Sequence, residues 1–151
     1  MAIIKSKNEY EILAELVCDL TRNCNIKEEY FAASFHLSPS QVKVIKLFIF
    51  HEDLNSKDIS ELLNISAGRV TQILNELNKK GLLLKETDTE DKRNIKIFPS
   101  PSAKPFIQNI HKSYSELNEK IIGNVSPDQY SGLLNSLELL VDNFSKWVNN
   151  K

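Results

Sequence analysis

Between Ser66 and Lys80, Val70, Ile73, Leu74 and Leu77 recur at intervals of three and four residues, the spacing of a buried helix face. Ala67, Gly68, Arg69, Thr71, Gln72 and Asn75 fall away from that stripe, and their types suit the edges of nucleic-acid bases. A guanidinium matches guanine O6 and N7, a carboxamide matches adenine N6 and N7, and a threonine reaches phosphate or a thymine methyl. Ser66 is placed to cap the helix, and Gly68 lets a backbone come close. Arg69, Lys79 and Lys80 against Glu76 give the segment a net charge of +2, in a chain whose formal net charge is −1. An ordinary solvated helix face is the competing reading of the same pattern.

Such a face acts only if other elements hold it. Ser56 to Asn64 reads as a short helix with Ile59, Leu62 and Leu63 inward, and Asn64-Ile65 as a turn, so that two short helices meet in a helix-turn-helix. Gly81 stops the second helix. Leu82 to Lys85 and Asn94 to Phe98 then alternate as strands around the charged stretch Glu86 to Arg93, a β-hairpin in the position of a wing.

Upstream, Ser38-Pro39-Ser40-Gln41 is a capping box with proline at the first helical position; Val42, Ile45, Phe48 and Ile49 form the buried face that follows. The device recurs at Ser126-Pro127-Asp128-Gln129, opening a helix with a heptad seam of Tyr130, Leu133, Leu137, Leu140, Phe144 and Trp147. Leu134, Val141 and Val148 widen this stripe beyond what a lone helix can hide. At the other end, Leu13, Leu16, Val17 and Leu20 mark a helix from Glu9, expected to continue with a bend past Asn23 to Asn25 through Phe31 and Phe35.

The expected fold is mainly α with a small β-hairpin wing: a winged helix-turn-helix flanked by N- and C-terminal dimerisation helices. Residues 38–104 are assigned to the winged helix-turn-helix DNA-binding region, and 1–37 with 105–151 to the dimerisation region. Homodimer contacts are expected at Leu13, Val17, Leu133, Leu137, Leu140, Phe144 and Trp147.

Other chemistries find little support. Cys18 and Cys24 belong to no CxxC motif and read first as buried thiols; lying six residues apart, they face different sides of a helix, and a redox-sensing role is the second reading. His36, His51 and His111 form no metal motif, so no metal and no cofactor are expected. Neither a nucleophile elbow, a phosphate-cradling glycine loop nor a matched acid and base is present, which argues against an enzyme. No apolar stretch reaches membrane-span length and Met1 to Lys7 lacks the apolar core of a signal peptide, so a cytoplasmic protein is expected.

From Leu37 to Phe98, and in helix layout over nearly the whole chain, the sequence resembles the MarR family of multiple-antibiotic-resistance regulators. The resemblance is carried by Leu37 to Gln41, Lys57 to Ser66, Val70-Thr71, Leu77 to Leu82 and Asp91-Lys92-Arg93. It implies a dimer that places two recognition helices in successive major grooves, with Arg93 reaching into the minor groove, Asp91 orienting it and Lys92 alongside. It also implies a palindromic double-stranded operator and a repressor relieved by a small molecule or an oxidant, with a cleft for aromatic or anionic effectors; Tyr10, Tyr30, Phe31, Phe35 and His36 fit the lining of such a cleft and equally an ordinary core, so no effector residue is assigned. Two departures stand out: Arg69 and Gln72 flank Val70-Thr71 where a small or hydroxylated residue and Arg are usual, and Pro99 to Pro105 replaces the usual link after the wing. A winged helix used only for protein contacts is the alternative, favoured by the acidic total charge.

Overall fold

The helix starts are set by side chains. Asn8 with Glu11, Ser38 with Gln41, Asn55 with Asp58, and Ser126 with Gln129 each form a reciprocal capping box, and the Ser66 hydroxyl accepts from the Arg69 backbone N–H. Each such cap contributes about 1 kcal/mol. In the computed structural model, which describes residues 6–91 and 93–151, the elements they open are α1 (Glu9–Ser34), α2 (Pro39–Leu47), α3 (Ser56–Leu63), α4 (Ala67–Lys79) and, at the end of the chain, α6 (Pro127–Asn149). Between α4 and α6 lie β1 (Leu83–Thr87), β2 (Ile95–Pro99), a 3-10 turn at Pro101–Ala103 and α5 (Lys104–Ile122). Lys92, expected at the wing, is outside the described residues.

Helix ends are equally local. At the end of α4, Gly81 takes φ +73°, its N–H donates to the Asn78 carbonyl and that of Leu82 to the Leu77 carbonyl, which closes the helix in a Schellman motif. His36 occupies the same left-handed place after α1, at φ 56°, with Leu37 N–H donating to the Ala32 carbonyl. Asn64, at φ 52°, makes the turn between α3 and α4.

The chain divides into two compact units, Met1–His111 and Lys112–Lys151. In the first, Val42, Val44, Ile45, Ile59, Val70, Ile73, Leu74, Leu77, Leu83 and Ile97 are buried where α2, α3, α4 and the hairpin meet. Full burial of each such side chain stabilises by about 1.5–3 kcal/mol. The hairpin is antiparallel, with Leu83 opposite Pro99 and Thr87 opposite Ile95. Leu54, in the α2–α3 connection, exchanges two backbone hydrogen bonds with Ile97 at 2.8 and 2.9 Å and so ties the wing to the helices. α1 packs on α2; there the Lys46 ammonium is held below its ordinary pKa range, first by burial, with Glu28 pulling the other way.

The second unit holds the end of α5 and all of α6, and none of its described residues is buried. Tyr130, Leu133, Leu134, Leu137, Phe144 and Trp147 all stand exposed, and Leu140 is half-buried.

Several expectations need correction. α1 is one helix across Asn23 to Asn25, and it ends at Ser34 with Phe35 as its cap rather than running through Phe35. Leu62 faces outward, since the short α3 buries only Ile59 and leans on its Leu63 side. Cys18 and Cys24 are exposed, not buried, because no described residue of α1 before Phe31 is buried. Tyr10 and Tyr30 are exposed, while Phe31 and Phe35 stack at 5.2 Å and Phe35 meets Phe106 at 5.8 Å.

Candidate nucleic-acid interface

Four buried residues, Val70, Ile73, Leu74 and Leu77, lock one face of α4 into the core and leave Ala67, Gly68, Thr71, Gln72 and Asn75 exposed on the other. A Cβ added at Gly68 would meet nothing within 4 Å, so the surface there is open. Arg69 is half-buried: one terminal nitrogen donates to Gln72 Oε1 at 2.8 Å and the other to the Ser40 hydroxyl at 3.3 Å, bridging α4 to the start of α2. Lys85 of β1 donates to Asn75 Oδ1 at 2.6 Å, and the Thr71 hydroxyl donates back to the Ala67 carbonyl at 3.0 Å.

Part of the local positive charge turns away from this face. Lys80 donates to the His36 carbonyl at 2.7 Å and to Gln41 Oε1 at 3.3 Å, while Gln41 Nε2 donates to Glu76 at 2.7 Å. The capping glutamine of α2 is thereby 5% exposed and fully used, fixing α4 against α2 as well as starting its own helix.

At the wing tip the chain folds through local bonds. Asp88 N–H donates to the Asn94 carbonyl and Asn94 N–H to the Asp91 carbonyl, both at 3.0 Å, and the Asp88 carboxylate accepts from Glu90 N–H at 2.9 Å. Asp91 Oδ1 accepts from the Arg93 backbone N–H at 3.0 Å. Both side chains are exposed, and among the described residues no ion pair joins them. Asp91 thus sets the direction of Arg93 through its backbone rather than by gripping the guanidinium. The wing base is steadied by Lys96 paired with Asp53 at 3.3 Å.

Residues 37–95, which span α2, the helix-turn-helix and most of the hairpin, match the model of the MarR family. The HTH-type transcriptional regulator SarZ of Staphylococcus haemolyticus is 25% identical over 119 residues, 78% of each chain. Over these residues the chain is similar to the MarR family of transcriptional regulators.

Solved MarR-family structures share the fold. A MarR transcriptional regulator from Methanosarcina mazei Go1 superposes with a TM-score of 0.73 at 20% identity, over 90% of this chain and 98% of that one. Streptococcus pneumoniae FabT, in its complex with DNA, gives 0.79 at 19% identity over 91% and 99%. The winged-helix expectation is therefore met, and the relatives that the chain resembles are transcriptional regulators, a non-enzymatic family. Among the described residues, no helix is long and apolar enough to cross a membrane and no three His, Cys, Asp or Glu are grouped to hold a metal ion.

Sequence reasoning missed three positions that hold this surface: Gln41, which serves two helices; Leu54, which pairs with the wing; and Ser100, whose hydroxyl donates to the Gly81 carbonyl at 2.7 Å while its N–H donates to Leu82. Only Gln41 left a trace, as the third residue of a capping box. The unusual proline-rich link after β2 is thus anchored to the exit of α4.

Proposed function

We propose that this chain is a MarR-family regulator that acts in the cytoplasm as a homodimer, binds a palindromic operator and represses transcription until a small molecule or oxidant releases it. The exposed polar face of α4, locked from behind by four buried apolar residues beside a hairpin with Arg93 at its tip, is the observation that carries the reading. α4 would enter the major groove through Ser66, Ala67, Gly68, Arg69, Thr71, Gln72 and Asn75, and the wing would present Arg93, and Lys92 beside it, to the minor groove. Pairing of two copies is supported by Leu13, Leu133, Leu137, Phe144 and Trp147, which are exposed in the single chain, together with half-buried Val17 and Leu140.

Two features support release by an effector. A cavity of about 550 Å³ lies in the first unit between the α2–α3 connection and α5, lined by Phe48, Phe50, His51, Lys104, Ile107 and His111, with the Phe50 and His111 rings edge to face at 5.9 Å. Its aromatic walls, with Lys104 and Glu52 both at the lining, suit a small aromatic molecule that carries a polar group. The exposed thiols of Cys18 and Cys24 suit an oxidant.

Recovering bound duplexes from a random pool at low salt tests the reading. The expected outcome is a site with a dyad, its half-sites about one helical turn apart, roughly 34–36 Å, and an affinity that falls steeply with salt. A chain that retains no duplex but captures protein partners would instead be a winged helix used for protein contacts.

A further inference from the structure

Carboxamides read bases ambiguously until something fixes their orientation. A Gln or Asn side chain that reads adenine turns both ends of its amide to the base, the NH2 donating to N7 and the carbonyl accepting from the N6 amine; guanine offers the major groove two acceptors, O6 and N7. In this chain both carbonyl oxygens on the open face of α4 are already engaged. Gln72 Oε1 accepts from Arg69 and Asn75 Oδ1 from Lys85, at 2.8 and 2.6 Å, and neither NH2 group has a partner among the described residues. Each bond is charge-assisted, and rotating the amide would set its NH2 against the cation.

The exposed Arg69–Gln72 bond has a second anchor. Arg69 is half-buried as a residue and its other terminal nitrogen donates to Ser40 on α2, so α2 and α4 together orient Gln72. Thr71 adds no donor, because its hydroxyl is spent on the Ala67 carbonyl; what it shows outward is a methyl group. The two amide oxygens of the face are therefore turned toward cations, which leaves the two NH2 groups as the ends available to a base.

We infer that Arg69 and Lys85 act as positioning residues that turn the amide donors of α4 outward, so that Gln72 and Asn75 select guanine over adenine, with thymine favoured beside Thr71. The inference rests on the DNA-binding reading above and adds the base preference to it. It reverses the adenine assignment that the residue types alone suggest.

Selection from a random duplex pool, run with the parent and with three variants, tests it. Gln72→Glu identifies the base position that Gln72 reads, since replacing the donor by an acceptor moves that position from guanine to cytosine. The parent is expected to show guanine there, favoured over adenine about tenfold or more, the discrimination of a good bidentate pair. Arg69→Met frees the Gln72 carbonyl and is expected to erase most of that preference, admitting adenine. Lys85→Met does the same at the position that Asn75 reads. Adenine in the parent pool at the Gln72 position, no position responding to Gln72→Glu, or an undiminished guanine preference in Arg69→Met would each overturn the inference while leaving DNA binding intact. Retention of no duplex by the parent overturns the DNA-binding reading and this inference together.

Discussion

Asp91 Oδ1 accepts a hydrogen bond from the backbone N–H of Arg93 at 3.0 Å, closing an Asx turn at the tip of the wing. The carboxylate is used as an acceptor, and its charge has no cation to answer among the described residues. Arg93→Ala is expected to weaken operator binding by about 1–3 kcal/mol, with fold and oligomeric state unchanged, because the exposed side chain supports no core. Asp91→Asn keeps the acceptor and removes a negative charge near phosphate, so it should bind as tightly as the parent or tighter; Asp91→Ala loses the turn and should bind less well. In a double-mutant cycle Asp91→Ala becomes nearly silent once Arg93 is alanine. Fluorescence anisotropy on the selected operator measures all four. A loss in Asp91→Asn equal to that in Asp91→Ala would show that the charge, and not the turn, matters.

Gly68 separates stability from binding. With nothing within 4 Å of an added Cβ, Gly68→Ala, in the first turn of α4, should stabilise the helix by about 0.5 kcal/mol, less than the interior propensity difference. If DNA comes close at this point, the same methyl group lowers affinity. A higher denaturation midpoint with unchanged operator affinity would remove Gly68 from the interface.

The apolar stripe of α6 calls for a partner, since none of the helix is buried within the single chain. Placing Asp at both Leu137 and Leu140 sets two charges into the proposed seam, at several kcal/mol if the interface stays closed. Sedimentation is expected to report a dimer for the parent and a monomer for the variant. An unchanged dimer in a folded variant places the interface elsewhere.

Two substitutions near the α1–α2 junction should move stability in opposite directions. His36 sits at φ 56°, a conformation that costs an L residue about 1–2 kcal/mol, so His36→Gly should raise stability by roughly 0.5–1 kcal/mol once the extra freedom of unfolded glycine is subtracted. Gln41→Ala removes a helix cap and leaves Glu76 without its donor in a partly buried place, and should cost about 1–3 kcal/mol. Urea unfolding checks both. A neutral Gln41→Ala would mean that water replaces the side chain at little loss.

What the sequence made legible was whatever is local. The Ser38 and Ser126 capping boxes, the Ser66 cap, the Gly81 stop and the Val70 to Leu77 stripe each depend on residues within a turn or two, and all appear where expected. The Asn8–Glu11 and Asn55–Asp58 boxes carried the same kind of signal and went unread. Contacts between distant segments left no periodic mark: Leu54 with Ile97, Arg69 with Ser40, Gln41 with Glu76. For that reason the face of α4 was found from its spacing, while the orientation of Gln72 and Asn75, which decides what they read, was not. Cys18 and Leu62 were misplaced because apolar type predicts burial only where another element of the same chain covers the residue.

The bond from the Ser100 hydroxyl to the Gly81 carbonyl makes the wing a closed loop, its two ends stapled at the foot of α4 and one strand pinned by Leu54. A hairpin held only at its base bends most easily at its tip, where Arg93 stands. If the wing reads the minor groove, such a mount would let it follow variation in groove width between the two halves of an imperfect operator without moving α4, a sprung arm on a fixed base.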